Sequence, residues 1–190
     1  RILHLPYPGG PVIDRLAKDG DPAAHAFPRG LCGEGGGRAL KPENKYNFSF
    51  SGVKTALLYH VKSPADGGVD LDAPVELDDG QLADLVAAYQ EAVVHALVTK
   101  TLWAAADFGA ATIAVCGGVA CNSRLRALMR ARATCPVYIA PPKYCTDNAA
   151  MIAGLGYYEY RAGNVAAFDL DAATRLNPVS TIPFAGGRQS

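Results

Sequence analysis

Apolar residues recur at helical spacing most clearly over residues 81–106, where Leu82, Leu85, Val86, Tyr89, Val93 and Leu97 fall on one stripe. The pattern predicts a long core-facing helix, capped by Asp78 or Asp79 and followed by Gly109. His95 lies within it and reads as structural. Shorter helices are expected over Pro11–Lys18, Val53–Val61, Ser123–Ala133 and Ala149–Arg161. Pro11 suits a first helical position, Asn122 or Ser123 can cap the helix from 123, and Gly163 ends the last helix. Thr112–Cys116 and Pro136–Ala140 are short apolar runs that predict buried strands. Phe48–Thr55 alternates apolar and polar as a short strand does before it enters its helix. Strands alternating with helices on short turns predict an α/β layered domain, with the strand order left open.

Two connections lack apolar period. Residues 28–45 carry Gly30, Gly33, Gly35, Gly36 and Gly37 and read as a mobile loop. Residues 63–80 hold Asp66, Asp70, Asp72, Glu76, Asp78 and Asp79 with no basic residue, the pattern of a solvated loop. The tail after Leu176 has little pattern.

Composition changes this picture in three ways. With 190 residues, 49% of them hydrophobic, the chain suffices for one ordinary domain. Its 18 basic and 18 acidic residues balance, so any nucleic-acid contact must come from a local patch. One such stretch exists: residues 108–146 contain no acid but hold Arg124, Arg126, Arg130, Arg132 and Lys143. Arg126 and Arg130 lie one turn apart, which suits RNA phosphates or, equally, compensation of a helix C-terminus. The five cysteines are odd in number and lack CxxC spacing. That argues against a disulfide framework or a zinc ribbon and points to a reducing, cytoplasmic compartment. No apolar run reaches membrane-spanning length, and no signal-peptide pattern is present. Opening on Arg1 without an initiator Met, the sequence reads as a piece of something longer.

Four stretches are the candidate sites, and three of them are turns leading into helix starts, where first-turn N–H groups are unpaired and favour anionic oxygens. Gly117 and Gly118 precede Asn122, whose amide could meet a base or ribose or simply cap the helix. Gly9 and Gly10 precede Asp14, a possible ribose acceptor or an acid placed to suit the dipole. Asp147 could ligate a divalent cation or cap the last helix. Ser51-Gly-Val-Lys54-Thr55 fails as a phosphate loop, since Val53 separates Gly52 from Lys54. Lys54 stays a candidate phosphate or tRNA contact. Gly33-Glu-Gly-Gly-Gly37 lacks the strand and helix of a dinucleotide fingerprint.

Four strings occur in order. They are Leu5-Pro-Tyr-Pro-Gly-Gly-Pro11, Asn47-Phe-Ser-Phe-Ser-Gly-Val-Lys-Thr55, Gly117-Gly-Val-Ala-Cys-Asn-Ser-Arg-Leu-Arg126 and Cys145-Thr-Asp-Asn-Ala-Ala-Met-Ile-Ala153. Together they resemble the tRNA N6-adenosine threonylcarbamoyltransferases, once called O-sialoglycoprotein endopeptidases, in their C-terminal part. The resemblance implies an actin-like ATPase fold (ASKHA, ribonuclease H-like), chiefly its second lobe over residues 1–162, with 163–190 as a tail. It implies transfer of a threonylcarbamoyl group from threonylcarbamoyl-AMP to N6 of the adenosine beside the tRNA anticodon. Gly10, Asp14 and Asn122 would contact the adenylate, and Asp147 would ligate one divalent metal ion. Iron is the expected metal, with zinc and magnesium as alternatives. Implied partners are tRNA, the missing N-terminal lobe and other subunits of a transferase complex, with no membrane.

The departures are as informative. The family's His-x-x-x-His metal pair, its glycine-rich phosphate loop and an aspartate before the Pro-Gly-Gly-Pro turn are absent. Cys121 replaces a smaller residue. The alternative is a non-catalytic actin-like scaffold subunit, which retention of Asp147 disfavours. A metalloprotease would need a zinc pair such as His-Glu-x-x-His, absent here. The Cys-Thr-Asp-Asn string disfavours a sugar or acetate kinase.

Overall fold

The computed structural model describes residues 2–30, 32–33, 41–63, 70 and 74–165. Residues 31 and 34–40 of the glycine run, 64–69 and 71–73 of the acidic segment, and the tail beyond 165 lie outside the described residues. The chain divides into two units, Arg1–Asn148 and Ala149–Ser190.

The first unit contains α1 (Gly9–Leu16), α2 (Ser51–Lys62), α3 (Asp79–Asp107), β1 (Ile113–Val115), α4 (Ser123–Arg132) and β2 (Val137–Ile139). Short 3₁₀ turns lie at Pro42–Asn44, Gly118–Cys121 and Pro142–Tyr144. The second unit contains α5 (Ala149–Arg161). The architecture is α/β with a small sheet. β1 and β2 pair in parallel, with Ile113 opposite Val137 and Val115 opposite Ile139, and α4 is the crossover that a parallel pair requires.

α3 organises the first unit. Asp78 accepts from Gln81 N at 2.8 Å while its own N–H donates to Gln81 Oε1 at 3.0 Å, a reciprocal capping box. At the other end Gly109 takes φ +59°. Its N–H reaches Ala106 O, and Ala110 N reaches Ala105 O at 2.8 Å, so the last carbonyls are satisfied. α5 ends the same way: Gly163 has φ +80°, and Asn164 N donates to Glu159 O at 3.0 Å.

The single apolar stripe expected on α3 is corrected. Ala83, Leu85, Val86, Ala87, Ala88, Ala92, Val94, Ala96 and Val98 are all buried, so the helix is enclosed on several faces. Alanines let neighbours approach where a stripe reading sees only weak hydrophobes. Gly20 shows how close: a Cβ there would lie 2.1 Å from Ala83 O. Two clusters result. Leu3, Leu57, Leu85 and Val86 join the chain start and α2 to the N-terminal part of α3. Val94, Val98, Ile113, Leu125 and Met129 join its later turns to β1 and α4.

Two further expectations change. Phe48–Phe50 forms no strand among the described residues; the helix begins at Ser51 instead. The Phe48 and Phe50 rings stack at 6.1 Å, so their alternation serves a local aromatic pair. α1 begins at Gly9, which puts Pro11 at the third helical position rather than the first. Proline is tolerated there because that N–H has no intrahelical acceptor either.

Candidate functional site

The ends of α1 and α4 meet. Asp14 lies one turn beyond Gly10 on α1, and its carboxylate accepts from Ser123 N at 3.1 Å and from Ser123 Oγ at 2.8 Å. Residues 109 apart in the chain are joined by this contact. A carboxylate at the first turn of α4 also suits the positive end of its dipole. Gly10 is exposed, and a Cβ there would meet nothing within 4 Å. The same openness holds at Gly117, which has φ +85°, and at Gly118.

Asn122 is the cap of α4. Its Oδ1 accepts from Leu125 N at 2.9 Å. Its Nδ2 donates to Oε1 of Gln90, a buried residue of α3, at 2.7 Å. The sequence left Asn122 or Ser123 as the cap, and the geometry selects Asn122. The amide keeps one further N–H for a ligand. Thus Asp14 and Asn122 are brought together at one helix start, with Ser123 as the link, and Gly10 lies one turn before Asp14 on α1. Gln90 was missed by sequence reasoning, which read Ser123 only as a possible cap. Gln90 carried a signal, as a lone amide within the most buried stretch of α3.

The arginines of the acid-free stretch are mostly committed internally. Arg124 makes a bidentate pair with Glu91, Nε to Oε2 at 2.7 Å and a second bond to Oε1 at 3.1 Å. The Arg124 hydrogen bond holds the Glu91 carboxyl below its ordinary range, against the opposing effect of burial. Arg126 donates to Ala120 O at 2.5 Å and to Ala140 O at 2.6 Å. Arg132 donates to Thr99 Oγ1 at 3.2 Å. Of the four arginines only Arg130 is exposed with no partner among the described residues. Of the Arg126 and Arg130 pair, Arg126 is therefore engaged with main-chain carbonyls, and Arg130 stands exposed. Lys54 stands exposed in the first turn of α2.

Asp147 is exposed and takes part in no hydrogen bond or ion pair among the described residues. Its loop is closed beside it: Asn148 Nδ2 donates to Thr146 O at 2.8 Å. Buried Cys145 donates to Ala140 O at 3.3 Å and Pro141 O at 3.5 Å. Burial pushes the Cys145 thiol up, the Cys121 thiol adds to that, and Arg126 opposes it. No group of three or more His, Cys, Asp or Glu suited to a metal exists among the described residues. A free carboxylate fits one coordination position of a divalent cation, but the residues here do not complete a metal site. No helix among the described residues is long and apolar enough to cross a membrane. A cavity of about 440 Å³ lined by His25, Phe27, Arg29 and Glu91, among others, includes none of the candidate residues.

With this geometry in place, the comparisons with known proteins are specific. The profile of the family described as tRNA N6-adenosine threonylcarbamoyltransferase matches residues 1–154. A protein of that name from Anaeromyxobacter dehalogenans (strain 2CP-1) is 48% identical over 176 residues, covering 90% of this chain and 47% of the relative. One from Geobacter metallireducens is 44% identical over 185 residues, covering 96% and 49%. One from Thermotoga neapolitana is 43% identical over 166 residues, covering 86% and 44%. The chain spans about half the length of the curated relatives it matches.

Proposed function

Since the chain belongs to the tRNA N6-adenosine threonylcarbamoyltransferase family, we propose that it is the C-terminal part of an enzyme modifying tRNA. The reaction is transfer of threonylcarbamoyl from threonylcarbamoyl-AMP to N6 of the adenosine beside the anticodon. Residues 1–162 would form the second lobe of an actin-like fold. The observation that supports this reading is the Asp14–Ser123 contact, which joins α1 to the helix start that Asn122 caps.

The roles follow from the chemistry of each group. At Gly10, Gly117 and Gly118 there is no side chain to keep a ligand from the backbone. The Asp14 carboxylate can accept from ribose hydroxyls, exchanging its bonds to Ser123 for bonds to the sugar. The free N–H of Asn122 can donate to ribose or base. These groups would bind and orient the AMP portion, so that the adenosine amine attacks the carbamoyl carbon and AMP departs. No side-chain nucleophile is required. When bound, a divalent metal would polarise the carbamoyl carbonyl. Asp147 would supply one of its ligands, and the histidines that complete the set in the family are absent from this chain. tRNA, a further lobe and other subunits are the partners this reading implies, in the cytoplasm.

The test has two arms. Titration of AMP into residues 1–190 should show binding that Asp14→Ala weakens by about tenfold. Mass spectrometry of tRNA incubated with threonylcarbamoyl-AMP and this chain alone should show no product. Turnover by residues 1–190 alone would refute the partial-enzyme reading, and absence of AMP binding would sink the assignment of Gly10, Asp14 and Asn122.

A further inference from the structure

We infer that Arg126 is a positioning residue, the brace that locks the Gly117–Asn122 loop to the turn carrying Asp147. The inference rests on the proposed function for the roles of Asn122 and Asp147, and on geometry for the brace itself.

Arg126 lies in the second turn of α4. Its side chain runs back along the helix, and Nε donates to Ala120 O at 2.5 Å. Nη2 crosses to Ala140 O, just past the end of β2, at 2.6 Å. The same nitrogen lies 3.5 Å from Cys145 Sγ. Ala120 is two residues before Asn122, and Cys145 is two residues before Asp147. One planar guanidinium therefore fixes the distance and the angle between the two loops, as a flexible ammonium could not. A second link runs in parallel, from Cys121 Sγ to Pro142 O at 3.8 Å.

The arrangement is not ordinary charge pairing. Arg126 has no acidic partner among the described residues, and residues 108–146 contain no acid. Its acceptors are main-chain carbonyls of two separate segments. The 140–145 turn is itself closed by the Cys145 thiol, whose one S–H faces Ala140 O at 3.3 Å and Pro141 O at 3.5 Å. A guanidinium that bonds carbonyls in this way contributes geometry rather than charge neutralisation.

Hydrogen exchange on residues 1–190 tests this, comparing wild type with Arg126→Lys and Arg126→Leu. In Arg126→Leu, amides of 120–123 and of 144–147 should exchange faster together, by about tenfold or more, while mid-α3 amides keep wild-type protection. Arg126→Lys can reach one carbonyl but not both, so it should free one segment and hold the other. AMP affinity, measured alongside, should fall about tenfold in Arg126→Leu and less in Arg126→Lys. Both loops unchanged in a folded variant would overturn the brace. So would equal loosening of α3, since Arg126 would then support the whole fold. If Arg126→Leu does not fold, the lysine variant decides, and wild-type protection of both loops there overturns the inference. Failure of the wild-type chain to bind AMP would count against the proposed function, while the exchange data still decide Arg126.

Discussion

Asn122 uses both ends of its amide, and the two ends do different work. Oδ1 satisfies a first-turn N–H of α4, and Nδ2 satisfies buried Gln90. Asn122→Ala should lose about 2 kcal/mol, about half from the cap and half from stranding Gln90. Asn122→Ser keeps a cap but cannot reach Gln90, so urea unfolding should place it midway. Wild-type stability for Asn122→Ser would mean that the Gln90 bond contributes nothing, and equal losses for both variants would mean that the cap does not. Glu91 offers a second residue-scale test. Its carboxyl is held low by Arg124, so the pair's contribution is complete above the ordinary carboxylate pKa of about 4.3. That contribution disappears as pH falls through the depressed folded-state value. Glu91→Gln should therefore cost about 1 kcal/mol at pH 7, a modest figure because Arg124 is partly exposed. The gap to wild type should close on acidification below about pH 4. A gap that stays constant in urea titrations down that range would exclude the ion pair as its source.

At the scale of elements, α3 depends on close approach as much as on hydrophobicity. Gly20→Ala would drive a methyl into the main chain at Ala83 and Asp84, with separations of 2.1 and 2.6 Å to O and N. Main chain inside a helix cannot rotate away, so about 3 kcal/mol of destabilisation is expected in thermal unfolding. Gly52→Ala, where a Cβ meets nothing within 4 Å, is the neutral control. Much at this scale was legible in the sequence. Asp78, Gly109 and Gly163 are end signals that act through local hydrogen bonds, and each stands at a helix end as the sequence suggests. The bounds of α5 and, to within a residue, of the two short strands were legible, but the burial expected of the strands is not found: only Ile113 is buried, and Tyr138 is exposed. What failed was whatever depends on distant partners. The Phe48–Phe50 alternation found no neighbouring strand, and the breadth of α3 burial depends on helices from elsewhere in the chain. Asp14 could be marked as a candidate but not matched to Ser123, 109 residues away. The partners of the basic stretch were hidden for the same reason: Arg124, Arg126 and Arg132 bond to α3 and to loop carbonyls, which a charge count cannot see.

At the scale of the molecule, β1 and β2 have only each other among the described residues. Each therefore keeps one edge free of ladder bonds, and such edges recruit further strands. Sedimentation of residues 1–190 should show concentration-dependent self-association, relieved when the remaining half of the family's length is supplied on the same chain. A monomer at all concentrations would mean that other parts of the chain cover those edges.

The 3₁₀ turn before the Asn47–Thr55 string bears on how the chain can be watched. Lys100 is buried on α3, and its ammonium donates to Asn44 O at 3.1 Å and Lys45 O at 2.9 Å. The turn sits over it like a stopper. An amine-acylating reagent that quickly labels exposed lysines such as Lys54 can reach Lys100 only while that stopper is lifted. The rate of acylation at this single nitrogen is thus a built-in clock for opening of the segment, readable by peptide mass without adding any probe to the protein.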